Sequence, residues 1–272
     1  MLRVITPEKA CFPKPRRNYA LDVLRGVLAW VVVLVHVMWF AGYTHSGLRG
    51  WLGLQAVQVF MMVSGYVTIA TYRPEPYGRY LAKRLFRLAP VLAVCWALAW
   101  VARSGLTPAW FVTLVAQFYL VAPAIMRAVS RYGRRVLGAL FAASLFFLLP
   151  PVHDWMERFA PMGEFLPMNL AYFLAGMLAF HLLDPAALAE LSDRCARLPF
   201  WVRLGELSYC TYLVHWPLLA MIGYIVPSSF PNPARMALIA LAGAPVTWVA
   251  SVLLHRWVEL PWIQLSKQPK VK

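Results

Sequence analysis

The chain has 272 residues, 61% of them apolar and only 14% charged, and its 26 Lys and Arg against 11 Asp and Glu leave a net charge of +15. Soluble domains run near 45–50% apolar and about 25% charged, so this composition excludes an ordinary soluble enzyme. Cys11, Cys95, Cys195 and Cys210 lack CxxC spacing, which argues against a disulfide framework or a zinc site.

Taken in chain order, eight stretches approach the roughly 20 apolar residues that cross a bilayer as a helix. The first, 20–42, has an apolar run longer than a signal-peptide core and no convincing cleavage site, so it is expected to be retained. Further spans are expected at 51–72, 80–102, 108–126, 136–151, 165–183, 203–226 and 235–258. The stretch around 184–202 reads as the longest internal loop. Together these predict an all-α, polytopic transmembrane helix bundle of about eight spans. The expected domains are a 1–19 cytoplasmic N-terminal segment, one membrane domain over 20–262, and a basic cytoplasmic tail over 263–272.

Charge supports that count, because Lys and Arg gather on the cytoplasmic side of membrane proteins. With both termini in the cytoplasm, 22 of the 26 basic residues fall on that side. Arg49, Arg103, Arg158 and Arg235 are left, one in each external loop. Orientation and contact with anionic lipid thus account for the positive charge, and no nucleic-acid partner is expected.

Ionisable groups inside a span are costly and mark candidate sites. Arg25 and His36 lie on the first span, where eleven steps of about 100° bring them within roughly 20° of one face, about 16 Å apart. That face runs from the cytoplasm toward mid-membrane. Arg25 alone reads equally as an interfacial anchor paired with Asp22, and His36 as a helix-packing residue unless it faces a cavity. In the seventh span, Ser208, Tyr212 and His215 share a helical face, and His215 lies about 18 Å beyond Arg203, a depth similar to that of His36. The two histidines are therefore candidates to meet, although Tyr212 and His215 also suit plain hydrogen bonding between helices. On the second span FMMVSGY offers Ser64 and the small Gly65. It leads to RYLAKRLFRLAP, where Arg84 and Arg87 share a face and suit either orientation or bidentate phosphate contacts.

Five segments in order carry a family resemblance: LDVLRGVLAWVVVLVH (21–36), VFMMVSGY (59–66), KRLFRLAP (83–90), LGELSYCTYLVHWP (204–217) and VELP (258–261). The set resembles membrane acyltransferase family 3, which includes bacterial O-acetyltransferases of surface polysaccharides. Two features depart from that pattern. The chain is shorter than ten-span members, and TLVAQFYLVAP (113–123) places Val115 and Ala116 where the family's SLxxEExFYLxxP carries acids.

The resemblance implies transfer of an acyl group, acetyl in the first instance, from cytoplasmic acyl-CoA to a hydroxyl of a glycan or other cell-envelope acceptor. It implies His36 as general base or transient acyl carrier, and Arg25, Arg84 and Arg87 as the grip on the CoA phosphates. Ser64, Tyr66, Tyr212 and His215 are then expected to line the substrate cavity, with Asp22 and Glu259 in support. No metal is expected. Membrane lipids are the surrounding partner, and the cytoplasmic (inner) membrane is the expected location. The rival readings are a proton-coupled transporter or flippase for a glycan or lipid, and a catalytically inactive scaffold.

Overall fold

The first helix, α1 (Tyr19–Phe40), begins where Asn18 caps it, its side-chain oxygen accepting from the Leu21 N–H at 3.2 Å. This computed structural model describes residues 17–44, 47–105, 109–158 and 166–267. Cys11 and the basic residues Arg3, Lys9, Lys14, Arg16, Lys270 and Lys272 therefore lie outside the described residues. After α1 come α2 (Gly47–Thr71), α3 (Tyr77–Val101), α4 (Ala109–Tyr132) and the short α5 (Arg135–Ser144), which passes through a 3₁₀ turn at Leu145–Leu148 into α6 (Pro150–Glu157). Then follow α7 (Leu166–Leu182), α8 (Pro185–Ala196), α9 (Pro199–Ile225) and α10 (Asn232–Leu254). A π-helical turn at His255–Glu259 joins α10 to α11 (Leu260–Lys267). No strand occurs among the described residues.

Five helices are long and apolar enough to cross a membrane: α1, α2, α3, α4 and the continuous helix Asn232–Leu265. The count rises to seven if each of two bent pairs is one span. The expected 136–151 span is one of them, since α5 and its 3₁₀ turn meet α6 at 71°. The other is α7, which turns 103° into α8. Helix α9 is 27 residues long but is not among the five, because Ser208, Thr211, Tyr212, His215 and Trp216 dilute its hydropathy. These polar residues are buried rather than turned to lipid.

The expected loop at 184–202 is instead mostly helix. Asp184 caps α8 by accepting from the Ala186 N–H at 3.0 Å, and Pro185 occupies the first helical position, where its missing N–H costs nothing. Ser192 of α8 accepts the Tyr19 N–H at 3.0 Å, tying α8 to the start of α1. Beside it Arg17 bridges Asp22 and Glu206 at 2.7 and 3.0 Å, and Glu206 also accepts from Arg203 at 2.9 Å. Asp22 therefore pairs with Arg17, not with Arg25 as the three-residue spacing suggested.

Helix α9 forms the centre, with α1, α3, α8 and α10 packed on it, while α2 packs mainly on α7. Lipid removes most of the hydrophobic drive between helices, so close approach of small residues matters more. At the α2–α7 crossing a Cβ on Gly65 would run into the Phe173 carbonyl, and one on Gly176 into the Met62 carbonyl. Gly176→Leu is expected to force these helices apart, at a cost of about 1–3 kcal/mol or more. It should lower the detergent melting temperature and the yield of monodisperse protein, whereas Gly138→Leu, with nothing within 4 Å of its Cβ, should change neither. Equal behaviour of the two variants would refute this packing.

Candidate active site

Helices α1, α2, α3, α4 and α9 surround a cavity of about 380 Å³, within the size range of small-molecule sites. One end is cationic: Arg25 enters from α1, and Arg84 and Arg87 from the first turns of α3. Arg84 lies over the rings of Tyr80 and Tyr119, 4.3 and 5.2 Å from their centroids, so two aromatic faces hold its guanidinium in place. Its Nε has no hydrogen-bond partner although the atom is buried. Ser208 presents a second buried, unpartnered polar atom to the same cavity. Buried polar atoms ordinarily find partners, so both suit a polar ligand. The wall from α2 runs from Thr71 to Phe60, about 16 Å along the helix. It contains Ser64 but not Tyr66, which faces away and packs edge-on against Phe180 of α7 at 5.5 Å. The expectation that Tyr66 lines the cavity is thus corrected.

Arg87 reaches Glu259, whose carboxylate oxygen lies 3.9 Å from the guanidinium. Glu259 is 3% exposed and its other oxygen accepts from His255 Nδ1–H at 2.8 Å and from the Cys210 thiol at 3.3 Å. The ligand atoms of Cys210, His255 and Glu259 lie within 4.8 Å of one another, a set of types that zinc takes. All three already share hydrogen bonds at one carboxylate oxygen, and the Arg87 cation sits against the other. The arrangement serves to hold a buried anion beside a cavity arginine. Glu259→Gln removes that anion and should lower the affinity of the arginine end of the cavity for a phosphate-bearing ligand by roughly fivefold, about 1 kcal/mol, as measured by binding to the solubilised protein. Unchanged affinity would contradict this role.

Beyond the far end of the cavity the two histidines meet. His36 Nδ1 and His215 Nε2 lie 2.9 Å apart with their rings stacked at 5.0 Å, and Trp216 stands edge-on to His36 at 4.9 Å. Neither histidine lines the cavity itself; Tyr212, which does, has its ring 6.0 Å from that of His215. His36 sits in the last third of α1, four residues before its end.

The contacts define the tautomers. A carbonyl oxygen only accepts, so the 3.0 Å contact of His215 Nδ1 with the Thr211 carbonyl requires a proton on that nitrogen. With His215 neutral, its Nε2 accepts from His36 Nδ1–H, leaving the His36 lone pair on Nε2. That is the orientation of a base held by a second group.

Residues 18–185, from the cap of α1 to the start of α8, match the acyltransferase domain family. The chain belongs to that family. This acyltransferase is similar to BcsY of Komagataeibacter xylinus, a protein named for membrane-bound transacylase activity, at 23% identity over 342 aligned positions covering 92% of this chain and 84% of BcsY. No solved structure matches. The protein is therefore a multi-pass membrane acyltransferase. The matched region carries Arg25, His36, Ser64, Arg84 and Arg87, while the second histidine and Glu259 come from the later helices α9 and α10–α11.

Residues outside the expected set also bear on this acyltransferase's site. Tyr119 supports Arg84 and lines the cavity, and the residues-113-to-123 segment already drew attention to its neighbourhood. Val115 also faces the cavity. Trp216 is anchored by its indole N–H donating to the Ser104 carbonyl at 3.2 Å. Its position directly after His215 was the only signal for it.

Proposed function

We propose that this acyltransferase moves an acyl group, acetyl in the first instance, from cytoplasmic acyl-CoA to a hydroxyl of a glycan or other cell-envelope acceptor. One observation carries the reading: arginines from two helices converge on a cavity that leads toward a hydrogen-bonded histidine pair. Arg25, Arg84 and Arg87 suit the phosphates of the donor, because guanidinium groups bind phosphate through paired, directional hydrogen bonds. Acyl-CoA supplies the activated thioester, and the remaining work falls to the chain. His36 accepts the proton of the acceptor hydroxyl at Nε2 while His215 accepts from its Nδ1–H and keeps the ring aligned. The acceptor oxygen then bonds to the acyl carbon and the C–S bond breaks. The thiolate leaves and His36 returns the proton to it. No step requires a metal.

This reading includes the eight-span arrangement with both termini in the cytoplasmic side of an inner membrane, with α9 as a polar span and α7 completing its crossing before the turn into α8. The asymmetric distribution of Lys and Arg supports it.

The test incubates membranes containing the protein with acetyl-CoA labelled in the acetyl group and with extracted surface glycans. Label should enter base-labile esters only when the protein and an acceptor are both present. Transport of glycan or lipid across the membrane without any thioester consumption would favour the flippase reading instead.

A further inference from the structure

The cavity and the histidine pair are adjacent, yet neither histidine is part of the cavity lining. Phe60 of α2, Phe111 of α4 and Tyr212 of α9 line the far end of the cavity, and their rings touch one another. Phe60 and Phe111 are 5.5 Å apart, Phe111 and Tyr212 5.0 Å, and Phe60 and Tyr212 6.1 Å. Phe60 and Tyr212 are 7% and 5% exposed, and Phe111 is partly buried. Behind this layer, less than one turn farther along α9, stands His215, with His36 bonded to it.

We propose that Phe60, Phe111 and Tyr212 are positioning residues that form a closed aromatic partition between the donor cavity and His36. The inference rests on the acyl-CoA reading for its purpose, though not for its geometry. A base in open contact with a thioester in a wet cavity would spend the donor on water. In that wasted reaction His36 takes a proton from water as its oxygen bonds to the acyl carbon. The C–S bond breaks, and the products are a carboxylic acid and a free thiol. A layer of rings prevents it by keeping cavity water and His36 apart. Because each ring belongs to a different helix, a small relative displacement of α2, α4 and α9 opens the layer without breaking any backbone hydrogen bond. The partition therefore makes access to His36 conditional on helix position.

Two measurements on the full chain in membranes test this. The first needs no donor. In a His36→Cys variant, a charged, membrane-impermeant thiol reagent is added from the arginine side in vesicles, and modification of position 36 is read from its peptide by mass spectrometry. Labelling should be slow, and Phe111→Ala or, from a second helix, Phe60→Ala should accelerate it by about an order of magnitude. Phe111→Tyr, which keeps a ring, should restore the slow rate. Fast labelling before any truncation, or labelling that neither truncation changes, overturns the partition.

The second measurement follows release of free CoA thiol from acetyl-CoA without acceptor. Phe111→Ala should raise this hydrolysis about tenfold over the parent, and His36→Ala in the same chain should remove the increase. If truncation changes labelling but no variant consumes acetyl-CoA, the donor reading fails and the partition stands. If acceptor-dependent transfer occurs with labelling unchanged, the donor reading stands and the partition fails.

Discussion

His36→Ala is expected to lower acyl transfer by about 10²–10⁴-fold while leaving the protein folded and the donor bound. The ring is partly exposed, hydrogen-bonds to His215, and lies beyond the cavity that the arginines line. Removing it therefore deletes the proposed proton acceptor without touching the arginine end. His215→Ala should cost less, because His36 keeps its lone pair and loses only the partner that fixes which nitrogen carries it. The measurement is initial rate of label transfer at saturating donor and acceptor, normalised to protein extracted in folded form. A His36→Ala enzyme that transfers at the parent rate would end the assignment of His36. So would a His215→Ala enzyme that loses everything while His36→Ala loses little, since that would exchange the two roles.

Replacing Arg84 and Arg87 together should act on the opposite parameter. Charge-assisted hydrogen bonds contribute about 1.5–3 kcal/mol each, so the double substitution to Gln should raise the donor KM by roughly 100-fold or more at an unchanged acceptor preference. Arg84 carries more of this than Arg87, because it is clasped between Tyr80 and Tyr119 whereas the Arg87 side chain is 58% exposed. Arg84→Lys should not rescue, since an ammonium has neither the planar face for the two tyrosines nor the fork for a phosphate. High salt should weaken the parent's donor binding more steeply than the double variant's, which keeps only Arg25 at that end. Donor affinity that stays constant across these variants would remove the arginines from the binding machinery.

Much of this layout was legible because the sequence periodicities have few solutions. Helix α1 occupies Tyr19–Phe40 against an expected 20–42, and the depth comparison that made His36 and His215 candidates to meet is matched by their 2.9 Å contact. Tyr66 was misplaced for a reason the same arithmetic contains: two residues from Ser64 is about 200° around a helix, so both cannot face one cavity. The α2 wall uses Phe60, Val63, Ser64, Val67, Thr68 and Thr71, a regular helical stripe that excludes Tyr66. Helix α8 was expected as loop, although Asp184 followed by Pro185 is a helix-start signal. The Asp22–Arg25 pairing failed because a spacing on one helix says nothing about a competing cation, and Arg17 arrives from before the helix. Nor does a sequence reveal cavity closure, since Phe60, Phe111 and Tyr212 come from three separate helices and meet only through their packing.

The π-helical turn at His255–Glu259 has a consequence for how this chain tolerates change in length. A π turn accommodates one residue more than the regular winding, inside a helix that otherwise runs unbroken from Asn232 to Leu265. Deleting one residue within the turn would restore ordinary winding and leave all that follows on nearly the same face, so Trp262 would keep its stack on Phe86 at 4.8 Å and α11 its seat on α3. Deleting one residue from the regular winding of α10, with the turn kept, would instead rotate the rest by about 100°. The turn is thus the one place in this long helix where natural variants should differ in length by a residue.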